Sequence, residues 1–188
     1  SAKGWAGGFL YNDKANKALK NFYAREDTLS LGICNGCQLL MELGFIYPEM
    51  GENHPKMKHN ISHKFESNYV SVEIQPNNSV MFGSLAGTKL GIWVAHGEGR
   101  FDLPEEESKY NITVKYIYDN YPGNPNGSSY NAAAVCSKDG RHLAMMPHLE
   151  RSIFPWQNAY YPFEHRKNDV TPWMEAFVNA REWIKNHK

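Results

Sequence analysis

Two short stretches of this chain carry side chains able to act on a carbonyl carbon. The first is Gly32-Ile33-Cys34-Asn35-Gly36-Cys37-Gln38. An apolar run of strand formers from Thr28 to Ile33 leads into it, and the helix formers from Gln38 to Leu43 lead out. A cysteine at such a junction meets free backbone N–H groups and the positive end of a helix dipole, which suit a nucleophilic sulfur. Glycines at 32 and 36 allow close backbone approach, giving the cysteine counterpart of the G-x-S-x-G elbow. The second stretch is Met146-Pro147-His148-Leu149-Glu150-Arg151. In an extended segment His148 and Glu150 share a face and Leu149 turns away. The carboxylate can then fix the imidazole tautomer and stabilise the imidazolium formed when the ring takes the thiol proton. Sulfur, imidazole and carboxylate together imply acyl transfer through a thioester.

Other readings compete for these residues. A cysteine at an apolar strand end is often an inert core residue. Cys34 and Cys37 also form a C-x-x-C, the spacing of a redox pair or of half a zinc site. The tryptophan before and the proline within a thioredoxin-type pair are absent, and zinc would need two further ligands from Cys136 and scattered histidines. His54, His59 and His63, in a polar stretch from Tyr47 to Ser67, could bind a metal but read better as loop residues, so no metal site is assigned. A third stretch, Ala95-His96-Gly97-Glu98-Gly99-Arg100, follows an expected strand. Its glycines leave backbone groups open to grip the charged ends of an amino acid, or simply make a turn. Asn124-Pro125-Asn126-Gly127-Ser128 is turn-forming, and its chemistry demands no function.

The elements that must position these groups are legible in outline. Ala15, Leu19, Phe22 and Tyr23 lie on one face of an amphipathic helix from about Asp13 to Arg25, which feeds the Cys34 strand. Helix, strand, nucleophile turn, helix is the repeat of a parallel α/β sheet. Alternating patterns predict strands over 69–74, 90–95 and 112–117, and apolar runs over 132–135 and 143–146 flank the hairpin signal Asp139-Gly140. A last helix begins with Thr171 as N-cap and Pro172 at its first position, with Trp173, Phe177, Ala180 and Ile184 on one stripe. The expectation is an α/β fold: an open, mostly parallel twisted sheet with flanking helices.

Composition bounds the function. With 188 residues, 41% of them hydrophobic, the chain is long enough for one domain with a proper core. Its 20 basic and 20 acidic residues balance, which argues against nucleic acid or an anionic membrane as principal ligand. Three cysteines fit a reducing cytoplasm better than a disulfide framework. No bilayer-length apolar run is present and no secretory leader is expected, so the sequon at Asn60 is expected to carry no meaning.

Taken in order, G-I-C-N-G-C-Q-L-L, H-G-E-G-R, N-P-N-G-S and M-M-P-H-L-E-R resemble the class I (triad) glutamine amidotransferases, and more narrowly the glutaminase domains of phosphoribosylformylglycinamidine synthases. Phe65-Glu66 and Pro172-Trp173-Met174 extend the resemblance over essentially the whole chain. It implies a flavodoxin-like fold in which Cys34 attacks the side-chain amide of glutamine, His148 shuttles the proton and Glu150 orients His148. The Asn35 amide would donate to the oxyanion, and Gln38 with His96, Gly97, Glu98 and Gly99 would line the glutamine pocket. Ammonia would pass to an ATP- and Mg²⁺-dependent synthase domain upstream in the same polypeptide, with no cofactor in this segment. Leu149 stands where the family has proline, at a position facing away from the pair. The family's Gly-rich loop, source of a second oxyanion donor, precedes the K-G-W-A segment, so Gly7-Gly8-Phe9, which follows it, is not that loop. The chain is therefore expected to be a single domain truncated at its N-terminus, lacking one or more first strands and leaving an apolar sheet edge uncovered. Loss of one oxyanion donor would slow it by about a hundredfold or more.

Overall fold

The computed structural model describes residues 2–187. Two helices open the chain, α1 (Ala2–Leu10) and α2 (Asp13–Ala24). Gly7 and Gly8 therefore lie inside a helix. Asn12 caps α2 by accepting the Ala15 amide at 3.1 Å, and Ala15, Leu19, Phe22 and Tyr23 form its half-buried face, as the spacing predicts.

The Cys34 segment follows as β1 (Ser30–Ile33) and α3 (Asn35–Leu43), which ends on a left-handed Gly44. Beyond it come β2 (Lys56–Lys58), β3 (Glu66–Ile74), β4 (Lys89–His96), β5 (Arg100–Asp102), β6 (Asn111–Tyr116), β7 (Ala132–Cys136), β8 (His142–Met145) and α4 (Glu175–Asn186). Six strands form one sheet in the order β1-β8-β7-β6-β3-β4, with β1 and β4 at its edges, while β2 and β5 pair as a separate antiparallel ribbon.

The α/β class and flanking helices hold, but the sheet is mixed rather than mostly parallel. Only β1 runs parallel to its neighbour, β8, with Gly32 beside Ala144 and Ile33 beside Met145; the other four pairings are antiparallel. The reason lies in the connections. A parallel step needs a crossover of a dozen or more residues, usually a helix, and among the described residues no α-helix separates β3 from β8. Instead β7 returns directly into β8 through Asp139-Gly140, where Gly140 takes a φ of +79° and a Cβ would meet the Asn78 carbonyl oxygen at 2.2 Å.

Both faces of the sheet are buried. Along β8 and just beyond it, Leu143 and Met145 join a cluster with Val72, Phe82, Ile92 and Trp173, on the side covered by Phe177 and Ala180 of α4. Ala144 and Met146 join Cys37, Leu40 and Met41 of α3 on the other. This period-2 division explains why all five residues of β7 are buried although it has no polar face. Two expected boundaries shift. Strand β3 begins at Glu66 rather than Tyr69. A 3-10 turn, Pro172–Met174, intervenes before α4, and the Thr171 hydroxyl donates to the Ser152 carbonyl at 2.7 Å instead of capping the helix. Ile184, placed on the apolar stripe, is 38% exposed.

Candidate active site

The β1–α3 turn is a strained elbow. Cys34 has φ 52° and ψ −105°, a conformation that costs a non-glycine residue about 1–3 kcal/mol. The ladder fixes it from both sides: its N–H donates to Met145 O at 2.9 Å, continuing the β1–β8 register, and its carbonyl accepts the Gln38 amide at 3.0 Å to start α3. Gly32 makes the turn possible, because a Cβ there would lie 2.6 Å from Leu40 Cδ1 and 2.7 Å from the Gly36 carbonyl carbon and oxygen. Gly36 itself has open space where a Cβ would go; its backbone is what Gly32 must clear. Cys34 is half-buried, and its Sγ donates to the Ala95 carbonyl at 3.5 Å, so the end of β4 touches the sulfur. Asn35, exposed at the first position of α3, is among the residues whose N–H groups have no partner within a helix.

His148 stands three residues past β8, next to the strand that ends in Cys34. Its N–H donates to Trp93 O at 2.8 Å, which ties it across to β4. The segment turns rather than staying extended: Leu149–Arg151 is one turn of 3-10 helix, with the Arg151 amide donating to His148 O at 3.1 Å. Leu149 is fully buried, and Glu150 folds back so that its Oε1 lies 2.6 Å from His148 Nδ1. The His-x-Glu pair thus meets as expected, though by a turn instead of a pleat. The Cys34 side chain is the largest influence on the imidazole, followed by the Glu150 hydrogen bond, and together they raise its pKa to about 9 against the opposing effect of burial. Nδ1 is occupied by Glu150, and Nε2 is buried with no hydrogen-bond partner, so it is the ring nitrogen still open to accept a proton. Burial pushes the Glu150 carboxyl up, but the bonds from His148 and from its own backbone, with the charges of His148 and Arg151, hold it below the usual range.

Gln38 and the loop after β4 also come together, with Gln38 Nε2 donating to Glu98 O at 2.8 Å. His96 is not open to solvent as a pocket wall would be. The residue is 2% exposed, burial lowers its pKa to about 4, and its Nδ1 faces Asn60 Oδ1 at 3.2 Å. Glu98 pairs with His59 at 3.3 Å. Behind this loop the Asn124–Ser128 turn is structural: Ser128 Oγ accepts the Phe101 amide at 3.0 Å, and Asn126 Nδ2 donates to the Tyr116 hydroxyl at 3.1 Å.

Cys37 is fully buried against the α3 side of the sheet, and burial, then the charge of Cys34, pushes its thiol up. All three cysteines are free. Among the described residues no group of three or more His, Cys, Asp or Glu side chains is arranged to hold a metal ion. The contributions of Asn60, Trp93 and the Ala95 carbonyl were not apparent in the sequence, since each acts through a backbone contact between distant segments.

The strained Cys34 elbow and the His148–Glu150 pair stand on one mixed sheet. Residues 1–184 match the CobB/CobQ-like glutamine amidotransferase domain, and the chain belongs to that family. Among curated proteins it is similar to phosphoribosylformylglycinamidine synthase of Dictyostelium discoideum, 41% identical over 203 residues, covering 97% of this chain and 15% of that protein. The Homo sapiens protein of the same name is 38% identical over 208 residues, covering 97% and 16%. An Arabidopsis thaliana relative, named as chloroplastic/mitochondrial, is 42% identical over 205 residues, covering 99% and 15%. The chain thus spans about a sixth of the length of these relatives. Among solved structures, PurLQS of Thermotoga maritima superposes with a TM-score of 0.62 at 24% identity, over 92% of this chain and 65% of that one, which establishes the shared fold. Among the described residues no helix is long and apolar enough to cross a membrane.

Proposed function

We propose that this chain is the glutaminase portion of a phosphoribosylformylglycinamidine synthase and that Cys34, His148 and Glu150 carry its chemistry. The observation that supports this most directly is the strained Cys34 elbow, whose sulfur is the main influence on an imidazole already bonded to a carboxylate. The Cys34 thiol gives its proton to Nε2 of His148 as the sulfur attacks the side-chain amide carbon of glutamine, forming a tetrahedral oxyanion. The N–H of Asn35, next after the nucleophile at the start of α3, donates to that oxygen. Collapse breaks the C–N bond as the imidazolium of His148 gives its Nε2 proton to the departing nitrogen, so ammonia leaves and a thioester remains. Water then attacks the thioester as the ring takes its proton, and collapse breaks the C–S bond as the ring returns that proton to the sulfur, releasing glutamate and restoring Cys34 and His148. Glu150 keeps the ring in the required orientation throughout.

Gln38 and residues 97–99 of the loop bind the charged end of glutamine in this reading, with His96 buried behind them. The family membership and the named relatives support passage of ammonia to an ATP- and Mg²⁺-dependent synthase domain, which converts formylglycinamide ribonucleotide to the amidine in purine biosynthesis. The nucleotide chemistry lies outside these residues.

Labelling with a glutamine-mimicking diazoketone, followed by peptide mass spectrometry, tests the assignment. The label is expected on Cys34 alone, with glutamine protecting it and Cys34→Ser abolishing it. Labelling that asparagine or a peptide amide blocks better than glutamine would instead indicate a cysteine hydrolase for another amide.

A further inference from the structure

The sequon residue Asn60 is fully buried, and all of its polar atoms are engaged. Its Nδ2 donates to the carbonyls of His96 at 2.8 Å and Lys64 at 2.9 Å, while its Oδ1 accepts the Gly99 amide at 3.0 Å. Its backbone N–H donates to Gly97 O at 2.9 Å, and its carbonyl accepts the His63 amide at 3.0 Å. The Gly99 bond identifies Oδ1 as the acceptor, so the His96 Nδ1 facing that oxygen carries the hydrogen. The His96 ring lies against Gly99, where a Cβ would stand 2.4 Å from Nδ1. One residue therefore bonds positions 96, 97 and 99, as a neighbouring strand would.

The remaining loop residue, Glu98, is tied from the other side by Gln38 of α3. Immediately before the loop, Ala95 presents its carbonyl to the Cys34 sulfur. The His96–Gly99 loop is thus suspended between Asn60 and the first turn of the nucleophile helix.

We propose that Asn60 is a positioning residue for substrate recognition, its carboxamide holding the His96–Gly99 loop in the one shape that seats the amino-acid end of the amide substrate beside Cys34. This rests on the glutaminase reading. Both halves of the carboxamide are required: a carboxylate keeps the acceptor for Gly99 but sets a second oxygen against the His96 and Lys64 carbonyls. Asn60 does not touch the reacting atoms, so its loss falls on binding rather than on the chemical step.

The test compares wild type with Asn60→Asp in three measurements: steady-state glutamine hydrolysis, alkylation of Cys34 by iodoacetamide, and amide hydrogen exchange. Expected are a rise in KM for glutamine of about tenfold with a much smaller change in kcat, and alkylation at the wild-type rate. Exchange at Gly97, Glu98 and Gly99 should accelerate while β3 and β4 stay protected. Should the aspartate variant fail to fold, Asn60→Ser is expected to give the same split at smaller amplitude. An unchanged KM in a folded variant of an active wild type, or unchanged loop exchange, overturns the proposal alone. A fall in kcat and alkylation together also overturns it, by moving the effect to the nucleophile. Kinetics are measured in the full-length protein that contains this chain; a full-length wild type that hydrolyses no glutamine refutes the glutaminase reading, and the substrate role with it, while exchange still reports whether Asn60 clamps the loop.

Discussion

Replacing Glu150 by glutamine keeps the shape of the His148 partner and removes its charge. The glutamine carbonyl can still accept the Nδ1 hydrogen, so the ring tautomer survives; what is lost is the charge assistance of a 2.6 Å bond. Such bonds contribute about 1.5–3 kcal/mol, and the 41% exposure of the Glu150 side chain places this one at the lower end, about 1.5–2 kcal/mol. If that stabilisation is felt where the imidazolium forms, kcat/KM for glutamine falls by about 10–30-fold. The ring should also titrate below its wild-type value of about 9, though still above 6.5 because Cys34, the larger influence, remains. The sign for stability follows. A raised folded pKa gives stabilisation that is complete below 6.5 and lost as pH rises through about 9, so the melting-temperature gap between wild type and Glu150→Gln should be widest in mild acid and close in alkali. Glutaminase kinetics, an NMR titration of the His148 ring and melts across that range measure all three. Full activity with a ring still titrating near 9 would refute the coupling of this carboxylate to this imidazole.

Two further substitutions test the architecture around the sulfur. Gly32→Ala should lower stability by about 1–3 kcal/mol and reduce activity, because Leu40 Cδ1 can swing aside but the Gly36 backbone at 2.7 Å cannot; a melt at the wild-type temperature would contradict the elbow geometry. Cys37→Ser should cost about 1–3 kcal/mol in a denaturant titration, since it leaves a hydroxyl in the core, yet hydrolysis should persist while Cys34→Ser abolishes it. Equal loss from both would favour the C-x-x-C pair acting as a redox unit.

The sequence by itself determined the local elements of the site. A β-to-α switch at Cys34 is written in neighbouring side-chain types, and His148 and Glu150 are too close along the chain for their pairing to need a distant segment. Even the turn that joins them, 3-10 rather than extended, brought the same two groups together. Strand existence was legible too, because alternation is a property of adjacent residues.

Only the tertiary structure decided which strands pair and which way they run. Period-2 patterning marks a strand as two-faced but carries no record of its partner, so the antiparallel order was hidden while the helix–strand repeat at the N-terminal end suggested a parallel one. The same holds for Asn60, whose place beside His96 and Gly99 arises from a buried carboxamide having to satisfy its donors and acceptor wherever the fold offers them. It holds for Cys34 and His148 as well: 114 positions apart, they are carried to the same end of the sheet because β1 lies parallel to β8.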